Sequence, residues 1–128
     1  MTKATPMKVI LYISKDYPEG HKLQSVIEKI IPKHLLVVFN MVSALSQGLR
    51  GPLSDTILVL CPSCTEEVRA LAALRKLIRD VRSILILPDE EADTVAMGHR
   101  FHPRFLTKPT PGFKDVVKVL GRMLHVKS

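Results

Sequence analysis

Five short apolar runs rich in β-formers recur along the chain, at Val9 to Ile13, Leu35 to Phe39, Ile57 to Leu60, Ile84 to Leu87 and Arg104 to Leu106. Most are unbroken rather than alternating, the pattern of strands covered on both faces. The segments between them carry helical spacing instead. Leu23, Val26, Ile27, Ile30 and Ile31 share a face before Pro32, whose missing N–H ends a helix. Met41, Leu45 and Leu49 mark a weaker helix closed by Gly51-Pro52. A third starts from Thr65 as N-cap, with Glu66 and Glu67 in its first turn and Val68, Leu71, Ala72, Leu74, Leu77 and Ile78 inward. A fourth runs from about Glu90 to Met97, and the last sets Phe113, Val116, Val117, Leu120, Met123 and Leu124 on one stripe.

Strict alternation of strand and helix with short connections implies right-handed crossovers and one five-stranded parallel sheet with helices on both faces. A single α/β domain over residues 1–128 is therefore expected. No apolar run approaches the roughly 20 residues of a membrane span. Met1 to Lys8 lacks the apolar core of a secretory signal, so a cytoplasmic location is expected. Two cysteines do not form a disulfide framework, which leaves the core to hold the fold.

In parallel sheets ligands collect outside the carboxyl ends of the strands. Those ends are Ser14-Lys15-Asp16, Asn40, Cys61-Pro62-Ser63, Pro88-Asp89-Glu90 and Thr107-Lys108. No glycine-rich phosphate loop precedes a helix, and no histidine is placed to activate Ser14, Ser63 or Thr107, so neither a nucleotide enzyme nor a hydrolase is indicated.

The closing stretch Arg104-Phe105-Leu106-Thr107-Lys108-Pro109, followed by a helix beginning near Phe113, resembles the last strand, Lys-Pro step and last helix of response-regulator receiver domains. The resemblance extends from Lys8 to about Leu124 and implies the flavodoxin-like strand order 2-1-3-4-5. It also implies where phosphorylation chemistry would sit. Receivers hold Mg²⁺ with acids after the first strand and accept the phosphoryl group on an aspartate after the third. They place a hydroxyl residue after the fourth strand and a lysine after the fifth. Here the matching positions are Ser14, Lys15 and Asp16, then Leu60 or Cys61, then Pro88, and finally Lys108. Only the lysine survives intact, either as a switch lysine able to pair with Asp16, Asp89 or Glu90 or as an exposed lysine that the strand end tolerates. The family also commonly holds the Lys-Pro bond cis, which implies a cis Pro109.

Cys61-Pro62-Ser63-Cys64 is a CxxC motif at a strand-to-helix junction, where a helix N-terminus lowers a thiol's pKa. Redox catalysis, a regulatory disulfide and two inert thiols are all compatible with it. The topology weighs against catalysis, because Lys108-Pro109-Thr110-Pro111 leads straight into a helix and not into a hairpin. A zinc site with His99 and His102 is disfavoured, since those histidines precede the last strand and fall toward the opposite edge of the sheet.

The net charge of +7 favours acidic partners. Nucleic acid is disfavoured: the chain has no Trp and six Phe and Tyr residues, none interleaved with Lys or Arg in the manner of an aromatic stacking platform. Lys114, Lys118 and Arg122 form a basic stripe on the last helix, which Arg100 and Arg104 extend. The expected protein is thus a receiver-like signalling or scaffolding module that cannot be phosphorylated. It would carry no metal and no cofactor, and would contact a protein, a second copy of the chain included, through its last strand and last helix. A thiol-disulfide protein using Cys61 and Cys64 is the alternative.

Overall fold

A computed structural model describes residues 7–125. Among these residues the strands are β1 (Lys8–Ile13), β2 (Leu36–Phe39), β3 (Thr56–Cys61), β4 (Arg82–Ile86) and β5 (Phe105–Thr107). The α-helices are α1 (Gly20–Glu28), α2 (Val42–Gly48), α3 (Thr65–Ala72), α4 (Ala92–Phe101) and α5 (Lys114–His125). All strands run parallel in the order β2-β1-β3-β4-β5, as the alternation and the resemblance imply. The sheet is flavodoxin-like, with β3 at its centre between β1 and β4.

Side chains of a strand alternate between faces, so each unbroken apolar run feeds two cores. Val9, Leu11 and Ile13 of β1 join Ile57, Val59 and Cys61 of β3 beneath α1 and α5. Ile10 and Tyr12 join Leu58 and Leu60 beneath α2, α3 and α4. Every residue of β3 is buried. At about 1.5–3 kcal/mol for each large aliphatic side chain taken out of water, this central strand anchors the fold.

Three expectations are corrected. The third helix does not run unbroken to Ile78: α3 stops at Ala72, and a 3-10 turn over Arg75–Ile78 follows. The tighter turn carries Ile78 into the core beside Leu71 and leaves Leu77 40% exposed. The N-cap is Cys64 and not Thr65. Thr65 is the first helical residue, and its hydroxyl meets that of Thr94 at 2.5 Å, tying α3 to α4. Finally, the described residues contain no cis peptide bond, so Lys108-Pro109 is trans. Trans is the lower state of an isolated X–Pro bond by about 0.5–1 kcal/mol, and exposed Lys108 and Pro109 have little packing to reverse it.

The connection from β5 to α5 turns through Gly112 (φ 63) and Phe113 (φ 54). A left-handed phenylalanine is strained. Burial of its ring, 2% exposed and tilted against Tyr17 at 6.4 Å between centroids, offsets that strain.

Candidate functional site

At the carboxyl edge β1 and β3 pair one step beyond their ladder, with the Ser14 N–H donating to the Cys61 carbonyl at 3.0 Å. This brings Ser14 against the start of α3. Glu67 is the third residue of that helix, from which a side chain can reach back over the helix N-terminus. It does so: Oε1 accepts the Ser63 backbone N–H at 3.0 Å and the Tyr12 hydroxyl at 3.0 Å. Oε2 accepts the Ser14 hydroxyl at 2.8 Å and the Ser63 hydroxyl at 3.0 Å. Ser14 Oγ in turn accepts the Asp16 N–H at 3.2 Å, which fixes the turn after β1.

The two serine oxygens lie 3.1 Å apart. Two hydroxyl protons cannot satisfy three contacts among Ser14, Ser63 and Oε2. Both go to the carboxylate, the strongest acceptor present. Burial alone would raise the Glu67 carboxyl, but the donors from Ser63, Ser14 and Tyr12 outweigh it and hold the group below the usual carboxylate range. The Tyr12 phenol shifts the opposite way, raised by burial and by its bond to Glu67. Four donors thus saturate one ionised carboxylate, which makes Glu67 a weak base and a poor metal ligand.

The residues expected to form a degenerate phosphorylation pocket occupy different settings. Ser14 belongs to the Glu67 cluster, with Lys15 and Asp16 exposed beside it. Cys61 closes β3 opposite Ile13 and is wholly buried on the α1–α5 face, whereas Leu60 is buried on the other. Lys108 lies apart and pairs with Glu90 at 3.1 Å, with more than half of each side chain exposed. Such a pair contributes about 0–1 kcal/mol. Pro88 is half-buried where β4 ends. Among the described residues, no three Asp, Glu, His or Cys side chains are grouped closely enough to hold a metal ion.

The two thiols are not bonded to each other, and they differ sharply: Cys61 is buried and Cys64 exposed. Burial pushes the Cys61 thiol up to about 12, with the Glu67 charge adding to it and the neighbouring Tyr17 hydroxyl opposing it. Tyr17 is itself pushed up to about 12, chiefly by burial, with Cys61 and Glu19 nearby. An attacking thiolate needs a shift in the other direction and an open path. Nothing in this geometry activates Cys61.

Lys114, Lys118 and Arg122 are exposed along α5, and Arg100 and Arg104 are exposed near the start of β5. Sequence reasoning placed Glu67 only as a favourable charge in a first helical turn and Ser63 as a hydroxyl without a base. It missed Tyr12. The four-residue step from Ser63 to Glu67, close to a capping box, was the one local signal available.

The sheet order and the helices on both faces define a flavodoxin-like α/β domain, the architecture to which receiver domains belong. No protein-family model matches the chain, and no curated protein matches it. Two solved structures are similar in fold. One, from Burkholderia pseudomallei, is described as a pilus assembly-related protein: it is 18% identical with a TM-score of 0.60, over 100% of this chain and 99% of that one. The other, from Burkholderia thailandensis, is described as the pilus assembly protein CpaE: it is 20% identical with a TM-score of 0.60, over 91% of this chain and 98% of that one. Among the described residues no helix is long and apolar enough to cross a membrane.

Proposed function

We propose that this chain is a receiver-like domain without phosphorylation chemistry, serving as a signalling or scaffolding module that docks a protein partner. The observation that carries the reading is the saturation of Glu67 by Ser14, Ser63 and Tyr12 at the carboxyl edge of the sheet. A phosphorylated receiver gathers acids there around a divalent ion. Here hydroxyls converge on one carboxylate, Leu60 and Cys61 stand at the strand end where an acceptor aspartate would be needed, and Lys108 pairs with Glu90.

Docking is assigned to α5 with β5 and the end of α4, where Lys114, Lys118, Arg122, Arg100 and Arg104 are exposed. A two-fold contact through α5 would set Lys114, Lys118 and Arg122 against their own copies, so an acid-bearing partner suits this face better than a second copy of the chain. A scaffolding part in a multiprotein assembly also suits the pilus-assembly descriptions of the two structural neighbours.

The test is incubation with acetyl phosphate and Mg²⁺ followed by intact mass measurement. No gain of phosphoryl mass is expected, and a stoichiometric gain refutes the reading. The exposed, unactivated α5 stripe gives a second handle: Lys114→Glu with Lys118→Glu should abolish capture of an acidic partner while leaving the thermal midpoint unchanged.

A further inference from the structure

At the amino edge of the sheet, opposite the Glu67 cluster, lies a cavity of about 830 Å³. Its lining comes from the end of α2, the loop into β3, the 3-10 turn Arg75–Ile78 and the start of β4. Four cations face it: Arg50, Lys76, Arg79 and Arg82. Asp55 and Asp80 share the lining and offset part of this charge, yet the ion pairs among the described residues are Lys22–Glu19 and Lys108–Glu90, so none of the four cations is in an ion pair and the lining keeps an excess of positive charge. Arg50 is brought to the other three only by the fold.

Unpaired like charges repel, and a concave wall of low dielectric focuses their field, so the arrangement opposes folding while favouring an anion. It is also held in place. Arg75 Nη1 donates to the Arg100 carbonyl at 2.9 Å, pinning the turn that carries Lys76 to the end of α4. Asp55 turns the chain into β3 with φ 55, and its carbonyl accepts the Lys8 N–H at 2.8 Å. A smaller adjoining cavity of about 430 Å³ shares Lys76 and Arg79 and extends the basic surface to Arg75.

We propose that this cavity binds a small anion carrying adjacent phosphoryl groups, either free diphosphate chemistry or a polyphosphorylated lipid headgroup. Arginine forks match phosphoryl oxygens two at a time, and the volume lies within the roughly 300–1,000 Å³ of small-ligand sites. No aromatic side chain lines the main cavity, so it offers a base nothing to stack on, and phosphoryl groups are favoured over a nucleic acid strand.

The test is calorimetric titration of the full chain with inorganic pyrophosphate, beside flotation with vesicles containing phosphatidylinositol bisphosphate. Saturable binding is expected for at least one probe. It should weaken at least about ten-fold in Lys76→Glu/Arg79→Glu and stay unchanged in Lys22→Glu, an exposed lysine on α1. Lys76 and Arg79 are exposed, and an unaltered thermal midpoint shows that the double variant remains folded. Pyrophosphate binding supports a soluble ligand. Vesicle binding alone supports a headgroup, provided that phosphatidylserine vesicles of equal charge are not captured as well. Failure of both probes, binding indifferent to the double substitution, equal capture by phosphatidylserine, or binding of duplex DNA alone with steep salt dependence overturns the proposal.

Discussion

Replacing Glu67 tests whether its carboxylate organises the carboxyl edge. In Glu67→Ala the Tyr12 phenol, 1% exposed, loses its acceptor, as does Ser14, 2% exposed. Ser14 can turn to Ser63 Oγ at 3.1 Å, and half-buried Ser63 can recruit water. One buried donor therefore remains orphaned, at about 1–3 kcal/mol, and the weakened start of α3 adds about 0.5–1 kcal/mol. A loss of about 1.5–4 kcal/mol in urea unfolding at neutral pH is expected. Tyr12→Phe removes the orphan, so the double variant should be less destabilised than the sum of the singles by about 1–2 kcal/mol.

The pH dependence follows from the direction of the shift. The folded-state carboxyl lies below its ordinary value of 4.5, so the ionised form favours the native state. That contribution is complete above the ordinary value and is lost as pH falls through the lowered folded value. Glu67→Gln cannot titrate, so the stability gap between it and the wild type should close on acidification. A Glu67→Ala cost under about 0.5 kcal/mol, or a Gln gap that persists in acid, would refute this account of the cluster.

In native protein an alkylating reagent should modify exposed Cys64 and leave buried Cys61 untouched until denaturant is added, as followed by mass spectrometry; modification of both at equal rates would contradict the burial. His102 ends α4 in the left-handed conformation at φ 57, so His102→Gly should raise stability by about 0.5–1 kcal/mol in the same unfolding assay. The buried Thr110 hydroxyl has no hydrogen-bond partner, so Thr110→Val should leave stability unchanged or raise it by about 1 kcal/mol.

The alternation of β-rich runs with helically spaced segments was enough to determine five strands, five helices and a parallel sheet, because those two periodicities are local properties of the chain. Strand ends were legible to within a residue or two for the same reason. The break after α3 was not. No Gly or Pro interrupts the run from Thr65 to Ile78, and only the need to place Ile78 beside Leu71 shows that the helix must tighten into a 3-10 turn. Strand facing was equally hidden: an unbroken apolar run does not say that Leu60 turns toward α3 and Cys61 toward α5, because both faces are apolar.

The site depended on tertiary structure more heavily still. Glu67 meets Ser14 across 53 positions and Tyr12 across 55, and Arg50 lines one cavity with Lys76 and Arg79 only because the fold sets the end of α2 and the turn after α3 at the same edge of the sheet. Residue types and their spacing along the chain carry secondary structure. Which polar groups meet depends on strand order and register, and these are properties of the assembled sheet.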